Sequence, residues 1–212
     1  YIGGNGNDGD VNLVLDNMGD IYVSGNTTST NLPTTPGVVQ SAYGGGSEDI
    51  YIAKLNSSGS FFIYLTYLGG GDVDSSINIA VNGSGEVYVT GTSFSSNFPV
   101  TSGAFQTIKN GERDAIVAKL NSTATTLVYS TYLGGSGAES GGSIAIDSLN
   151  NAFVTGTTSS TNFPTTPGAF QTSSSSPDAF VTKVNPSGSS LVYSTYLSGN
   201  NADSGTDITI DS

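Results

Sequence analysis

The chain has 212 residues, with no Cys, His or Trp, one Met and only 10% charged residues. Without His or Cys, the usual ligand sets for zinc, copper, haem and iron–sulfur clusters cannot be assembled, nor can Ser-His-Asp or Cys-His catalytic groupings. Five Lys and Arg against 17 Asp and Glu give a net charge of −12, which repels a nucleic-acid backbone, and no apolar run approaches the ~20 residues of a membrane-spanning helix.

The chain repeats itself. Tyr1-Ile2-Gly3-Gly4 returns as Tyr67-Leu68-Gly69-Gly70, as Tyr132-Leu133-Gly134-Gly135 and as Tyr196-Leu197-Ser198-Gly199, in steps of 66, 65 and 64 residues. The same step relates Gly25, Gly91 and Gly156; Pro33, Pro99 and Pro164; Asp49, Asp114 and Asp178; and Lys54, Lys119 and Lys183. Each unit opens with an alternating apolar run ending in an acid or amide: Leu13–Asp16, Ile79–Asn82, Ile144–Asp147. A tight turn and a β-branched or aromatic run follow (Ile21–Val23, Val87–Val89, Ala152–Val154), which predicts a hairpin with Asp or Asn bonding its own backbone at the corner. A third strand is predicted at Asp114–Leu120 and its equivalents, and a fourth at Leu127–Leu133, joined by turns such as Asn56-Ser57-Ser58-Gly59. No segment sustains a 3.6-residue period, so the class is all-β.

Both faces of the third strand are apolar: Ala115 and Val117 on one side, Ile116, Ala118 and Leu120 on the other. A sheet with one wet face would alternate, whereas a blade wedged between two others buries both. Four strands every ~65 residues therefore predict a β-propeller segment of three four-stranded antiparallel blades, ahead of a β-solenoid with its shorter coils. The long connection between second and third strands repeats Asn-Phe-Pro-x-Thr-x-Gly-Ala-Phe-Gln at 97–106 and 162–171, so it is expected to be ordered, with Phe98, Phe105, Phe163 and Phe170 tucking it onto its own blade.

The stretch Ile144–Asp147, Asn151–Pro164, Asp178–Asn185 and Tyr193–Leu197 resembles the SBBP repeat. That family is named for a proposed seven-bladed β-propeller and occurs in bacterial and archaeal, mostly extracytoplasmic, proteins. The resemblance covers nearly the whole chain three times over; it implies a fold and an extracellular or cell-surface location, and brings no catalytic residues with it.

Residues 1–4 read as the end of a preceding outer strand, 5–70, 71–135 and 136–199 as three blades, and 200–212 as the start of another, with Asp207–Asp211 its first strand. Rings of four to eight blades are the rule, so three are expected to form an arc of a larger ring. The start at Tyr1 fits an excerpt of a longer chain. The expected partners are further blades of the same chain or identical chains, with other surface proteins or glycans also open.

Candidate sites are sparse. Asp8, Asp74, Glu139 and Asp203 fall seven residues after each repeat's Tyr, and acids in glycine-rich loops can ligate Ca²⁺, with Asp8, Asp10, Asp72 and Asp74 the places to look. Their presence in every unit instead favours a turn-capping role, and no other cofactor is expected. Each repeated Lys follows its Asp by five residues and so points to the opposite face, which predicts a partner on an adjoining strand or blade. The units differ most where the long connection ends. Tyr43 in the first and Lys109, Asn110, Glu112 and Arg113 in the second are the candidates for ligand or partner contact. Four glycosylation sequons, at Asn26, Asn56, Asn82 and Asn121, are no more than the Asn, Ser and Thr content produces by chance. The expected function is a non-enzymatic extracellular module with a structural, adhesion or protein-interaction role. The alternatives are a carbohydrate-binding propeller and, behind it, a glycosidase, which needs two carboxylates at set spacing.

Overall fold

The computed structural model describes residues 1–174 and 177–211. All its regular elements are strands. β1 (Asp8–Leu15), β2 (Ile21–Thr27), β3 (Asp49–Leu55) and β4 (Phe62–Leu68) form the first blade. β5 (Asp74–Val81), β6 (Val87–Ser93), β7 (Asp114–Leu120) and β8 (Leu127–Leu133) form the second; β9 (Glu139–Ile146), β10 (Ala152–Thr158), β11 (Asp178–Val184) and β12 (Leu191–Leu197) form the third. Each sheet is an antiparallel meander in sequence order. The first strands lie against the neighbouring blades, β5 against β1 to β3 and β9 against β5 to β7. The arc is not a closed ring.

Local chemistry sets both hairpins. Asp16 Oδ1 accepts the Met18 and Asp20 N–H groups at 2.9 and 3.0 Å, while Gly19 takes φ 79° to close the turn. Asn82 and Asp147 repeat the arrangement. In the second hairpin Asn56, Asn121 and Asn185 use the side-chain carbonyl in the same way. The inner strand of every blade carries an irregularity in its pairing, at Gly9/Asn12, Ser76/Asn78 and opposite Thr155/Gly156. The shift drives an inner-strand carbonyl toward the glycine of the second strand: a Cβ at Gly91 would sit 1.9 Å from Ser75 O, and one at Gly156 2.0 Å from Ser140 O. The repeated glycine is the residue that fits there.

The described parts of the long connections are ordered, as expected, and run along the free edge of each fourth strand. Thr101 N–H bonds Ser130 O and Tyr132 N–H bonds Gln106 O, both at 3.0 Å; Thr35, Tyr67, Thr166 and Tyr196 do likewise in the other blades. The edge that would invite pairing with another sheet is thereby covered. Each connection is pinned at its start by a buried tyrosine of the fourth strand. The Tyr132 hydroxyl donates to Ser95 O at 2.6 Å and accepts Phe98 N–H at 3.1 Å, with Tyr67 and Tyr196 doing the same at Ser29/Leu32 and Ser160/Phe163.

Two expectations need correction. Phe98 and Phe163 do anchor on their own blades, against Tyr132 and Tyr196. Phe105 instead reaches the next blade, its N–H on Gly188 O, and the Phe170 ring is exposed. Asp207–Asp211 is not a strand: it forms no ladder with a neighbouring strand, and 203–211 lies beside blade 3, held by Asp203 N–H on Pro177 O and Gly205 N–H on Gly156 O.

Blade 2 is covered on both faces. Tyr22, Ile50, Ile52 and Leu68 of blade 1 meet Ile79, Val89, Ile116 and Leu120 of blade 2. On the opposite side Tyr88, Val117, Tyr129 and Leu133 meet Ile144, Val154, Phe180 and Tyr196 of blade 3. The third strand of the middle blade is buried along its whole length, matching its two-sided apolar pattern.

Removing the Tyr132 hydroxyl leaves a buried N–H and a buried carbonyl unpaired. Tyr132→Phe should therefore cost about 1–3 kcal/mol in urea denaturation. The buried Tyr129 hydroxyl has no partner, so Tyr129→Phe should leave the midpoint unchanged or raise it.

Candidate functional site

The acids seven residues after each repeat's Tyr, Asp8 and Asp74 among them, accept donors at the crossings between blades. Asp74 accepts Gly70 N–H at 2.6 Å and the hydroxyls of Ser93 and Ser95. Glu139 accepts Gly135 N–H at 2.9 Å with Thr158 and Ser160, and Asp8 accepts Gly4 N–H at 3.0 Å with Thr27 and Ser29. Asp203 takes Gly199 N–H at 2.7 Å, so the pattern continues toward the end of the chain. The next residues of each crossing donate to an Asn and a Ser of the following loop, as Gly71 N–H to Asn97 and Asp72 N–H to Ser95, both at 2.8 Å. Asp10, at φ 51°, accepts Asn26 Nδ2 at 3.3 Å, and Asp72 accepts its neighbour Val73 N–H. Among the described residues no three acids converge as a metal cluster.

Each repeated Lys finds its carboxylate in the first hairpin of its own blade. Lys54 Nζ lies 3.0 Å from Asp20 and 3.5 Å from Asp16, Lys119 2.7 Å from Glu86, and Lys183 3.0 Å from Asp147. Each ammonium also sits over a ring, of Tyr22, Tyr88 or Phe153, at 4.6–5.1 Å. Burial disfavours the charge on Lys54, but Tyr22 and Asp20 outweigh it and hold its pKa above the ordinary value. Burial likewise opposes the charges on Glu86 and Asp147, and their partners still bring both below the usual carboxylate range.

The blade-specific loop is ordered by its own groups. Lys109 Nζ donates to the carbonyls of Gly111 and Glu112 at 2.8 and 2.7 Å, so its charge is turned inward. Asn110 N–H bonds Asp114 at 3.0 Å, Glu112 N–H bonds Gly137 O, and Arg113 lies over the Phe94 ring at 5.6 Å. Asn110 and Glu112 remain exposed, joined by Thr107 and Ile108, which sequence reasoning passed over. Tyr43 packs edge-on against Tyr67 at 5.9 Å and donates to Gly46 O, extending the blade 1 core. Of the sequons, Asn26 is buried within β2 and Asn82 bonds Glu86 and Asn150; Asn56 and Asn121 lie in exposed turns.

Concave surface appears at the other end of the blades, between consecutive first hairpins. A groove of about 410 Å³ is lined by Asn82, Gly83 and Ser84 of blade 2 and Asp147, Ser148 and Asn150 of blade 3. One of about 260 Å³ lies between Asp16, Tyr22 and Lys54 of blade 1 and Asn82–Gly85 of blade 2. The alternating Asn/Asp at 16, 82 and 147 was the signal available for them.

The third-strand acids differ between blades. Asp114 accepts Gln106 Nε2 and the N–H groups of Asn110 and Gly111. The blade 1 connection is one residue longer between its Gln and Asp, and Gln40 Nε2 makes the bond to Ala42 O that matches Gln106 on Ile108 O, without a bond to Asp49. Asp49 is left with the Gly44 N–H on one oxygen and nothing on the other, which is buried against Gly69. Burial, with Asp74 nearby, pushes the Asp49 carboxyl up to about 7. The folded state thus binds this proton more tightly than the unfolded chain. The stability it contributes is full below the unfolded value of 3.8 and falls as pH rises through about 7. Asp49→Asn should raise the melting temperature at pH 8 by on the order of 5 °C, and should flatten the decline seen by thermal melts between pH 4 and 8.

No curated protein matches the chain. A family model does: that of SBBP, a beta-propeller repeat, over residues 128–164. The match runs from the outer strand of blade 2 across the Glu139-capped crossing and the first hairpin of blade 3 to the pinned start of its long connection.

Proposed function

We propose that the chain is a non-enzymatic, extracellular structural module that works by protein interaction or adhesion, without a cofactor. The observation carrying this reading is that the repeated chemical groups are spent on the scaffold. The first-strand acids cap crossings, the repeated lysines are paired within their blades, and Lys109 is folded back on its own loop. What remains exposed is loop surface and single apolar side chains of the outermost strands, such as Leu13 and Leu15 of β1 and Leu197 of β12, which suits contact with another macromolecule better than bond-making chemistry. The lysine-poor, hydroxyl-rich composition and the SBBP resemblance support a location outside the cytoplasm.

A second reading, binding of carbohydrate, is favoured by the larger groove, whose Asn82, Ser84, Asp147, Ser148 and Asn150 offer hydroxyl, amide and carboxylate groups suited to sugar hydroxyls. No aromatic side chain lines that groove to stack on a sugar ring. A glycan array and a polysaccharide hydrolysis screen should both be blank. Saturable glycan binding abolished by Asn150→Ala would establish the second reading, and sustained hydrolysis would overturn the non-enzymatic one. Fractionation of the source cells should place the protein outside the cytoplasmic membrane.

A further inference from the structure

Asn82, Glu86 and Lys119 bring an amide, a carboxylate and an amine together at one point of blade 2. Lys119 Nζ lies 2.7 Å from Glu86 Oε2, and Asn82 Nδ2 donates to the same atom at 2.7 Å, so one carboxylate oxygen holds both nitrogens. The orientation of the amide is fixed. Its Oδ1 accepts the backbone N–H groups of Ser84 and Glu86 at 3.0 and 2.9 Å, and Nδ2 also reaches Asn150 Oδ1 of blade 3 at 2.8 Å. Two donors on Oδ1 draw electrons from Cγ and are placed to hold negative charge on that oxygen. The Lys119 side chain is only 7% exposed, with its nitrogen over the Tyr88 ring.

The other blades each lack a part. Blade 1 sets Lys54 against two carboxylates, Asp16 and Asp20, with no amide in the pair. In blade 3, Lys183 Nζ and Asn151 Nδ2 share Asp147 Oδ2 at 3.0 and 2.8 Å. There the backbone N–H groups of Leu149 and Asn151 go to Asp147 Oδ1, so they do not polarise the amide carbonyl.

We propose that blade 2 cross-links itself: Lys119 Nζ attacks Asn82 Cγ, forming an isopeptide bond and releasing the side-chain nitrogen as ammonium. The resting Lys119–Glu86 pair is ionised, so attack draws on the fraction in which a proton has passed from Nζ to Glu86 Oε2. The free amine adds to Cγ, and the charge developing on Oδ1 is held by the Ser84 and Glu86 N–H groups. Glu86 gives its proton to Nδ2 and takes one from the newly bonded nitrogen. The Cγ–Nδ2 bond then breaks, and ammonia leaves with that last proton as ammonium. No oxidant, metal or second substrate is consumed. The step occurs once per chain, so it goes beyond the module reading above and does not depend on it. The bond ties the first hairpin of the blade to its third strand, constraining the unfolded chain as a disulfide does, in a sequence without Cys.

Intact mass under denaturing conditions tests this on the full 212-residue chain, after several days folded at neutral pH. The mass should fall about 17 Da below the sequence value, the ammonia lost when the amine displaces the amide nitrogen. Trypsin should then fail to cut after Lys119, releasing residues 55–109 joined to 114–183 as one species. Lys119→Arg, which keeps the charge but cannot form the bond, and Glu86→Gln should both retain the full mass, with far-UV circular dichroism verifying that they fold. A folded wild-type chain at the full sequence mass overturns the proposal without recourse to any variant. So does a loss that persists in Glu86→Gln, or in Lys119→Arg, where it is ring closure by the Gly83 backbone nitrogen on Asn82.

Discussion

A four-stranded sheet with apolar side chains on both faces has no stable existence with either face in water. That constraint accounts for the repeat itself. Blade 2 meets it fully, with Ile116 and Ala118 buried against blade 1 and Val117 and Leu133 against blade 3. Because each blade contributes a front of one pattern and a back of another, the junction has a direction. Stacking the same unit reproduces the same contact, and stability becomes a sum of blade and junction terms.

The composition follows from the same geometry. Crossing from the outer strand of one blade to the inner strand of the next buries backbone N–H groups that no ladder can satisfy, and buried donors must be paired. The chain supplies short acceptors at fixed places: a carboxylate at the first residue of the inner strand, hydroxyls at the end of the second strand and just beyond it, and an Asn two residues further. Asp74, Ser93, Ser95 and Asn97 form one such set, and Glu139, Thr158, Ser160 and Asn162 another. The high Ser and Thr content is therefore partly interior. The acids are polar staples whose charge is balanced by converging donors rather than by cations.

Most of this architecture was legible in the sequence because it recurs. Periodicity placed the strands, the Asp or Asn of each hairpin announced its turn, and the five-residue offset between Asp114 and Lys119 sent each lysine to another strand. What was hidden depends on distances between units. Phe105 and Phe170 occupy the same repeat position, yet one bridges to the next blade and the other lies in solvent, because among the described residues only the first has a further blade opposite it. Asp207–Asp211 has the pattern of an inner strand but forms no ladder among the described residues. The grooves between hairpins also arise from two blades at once, so no single unit displays them.

The junctions are alike in outline but unequal in detail, and the inequality comes from loop length. One additional residue between Gln40 and Asp49, compared with Gln106 and Asp114, leaves the glutamine amide on its carbonyl two residues ahead and removes its bond to the carboxylate. Asp49 then faces Asp74 across the crossing with one oxygen unpaired, while Asp114 holds three donors beside Glu139. An unsatisfied buried oxygen costs more than a hydrogen bond contributes, so the first junction is the weaker of the two above neutral pH. Opening of the arc therefore begins there, and the second junction, fully bonded on both its acids, is the last to separate.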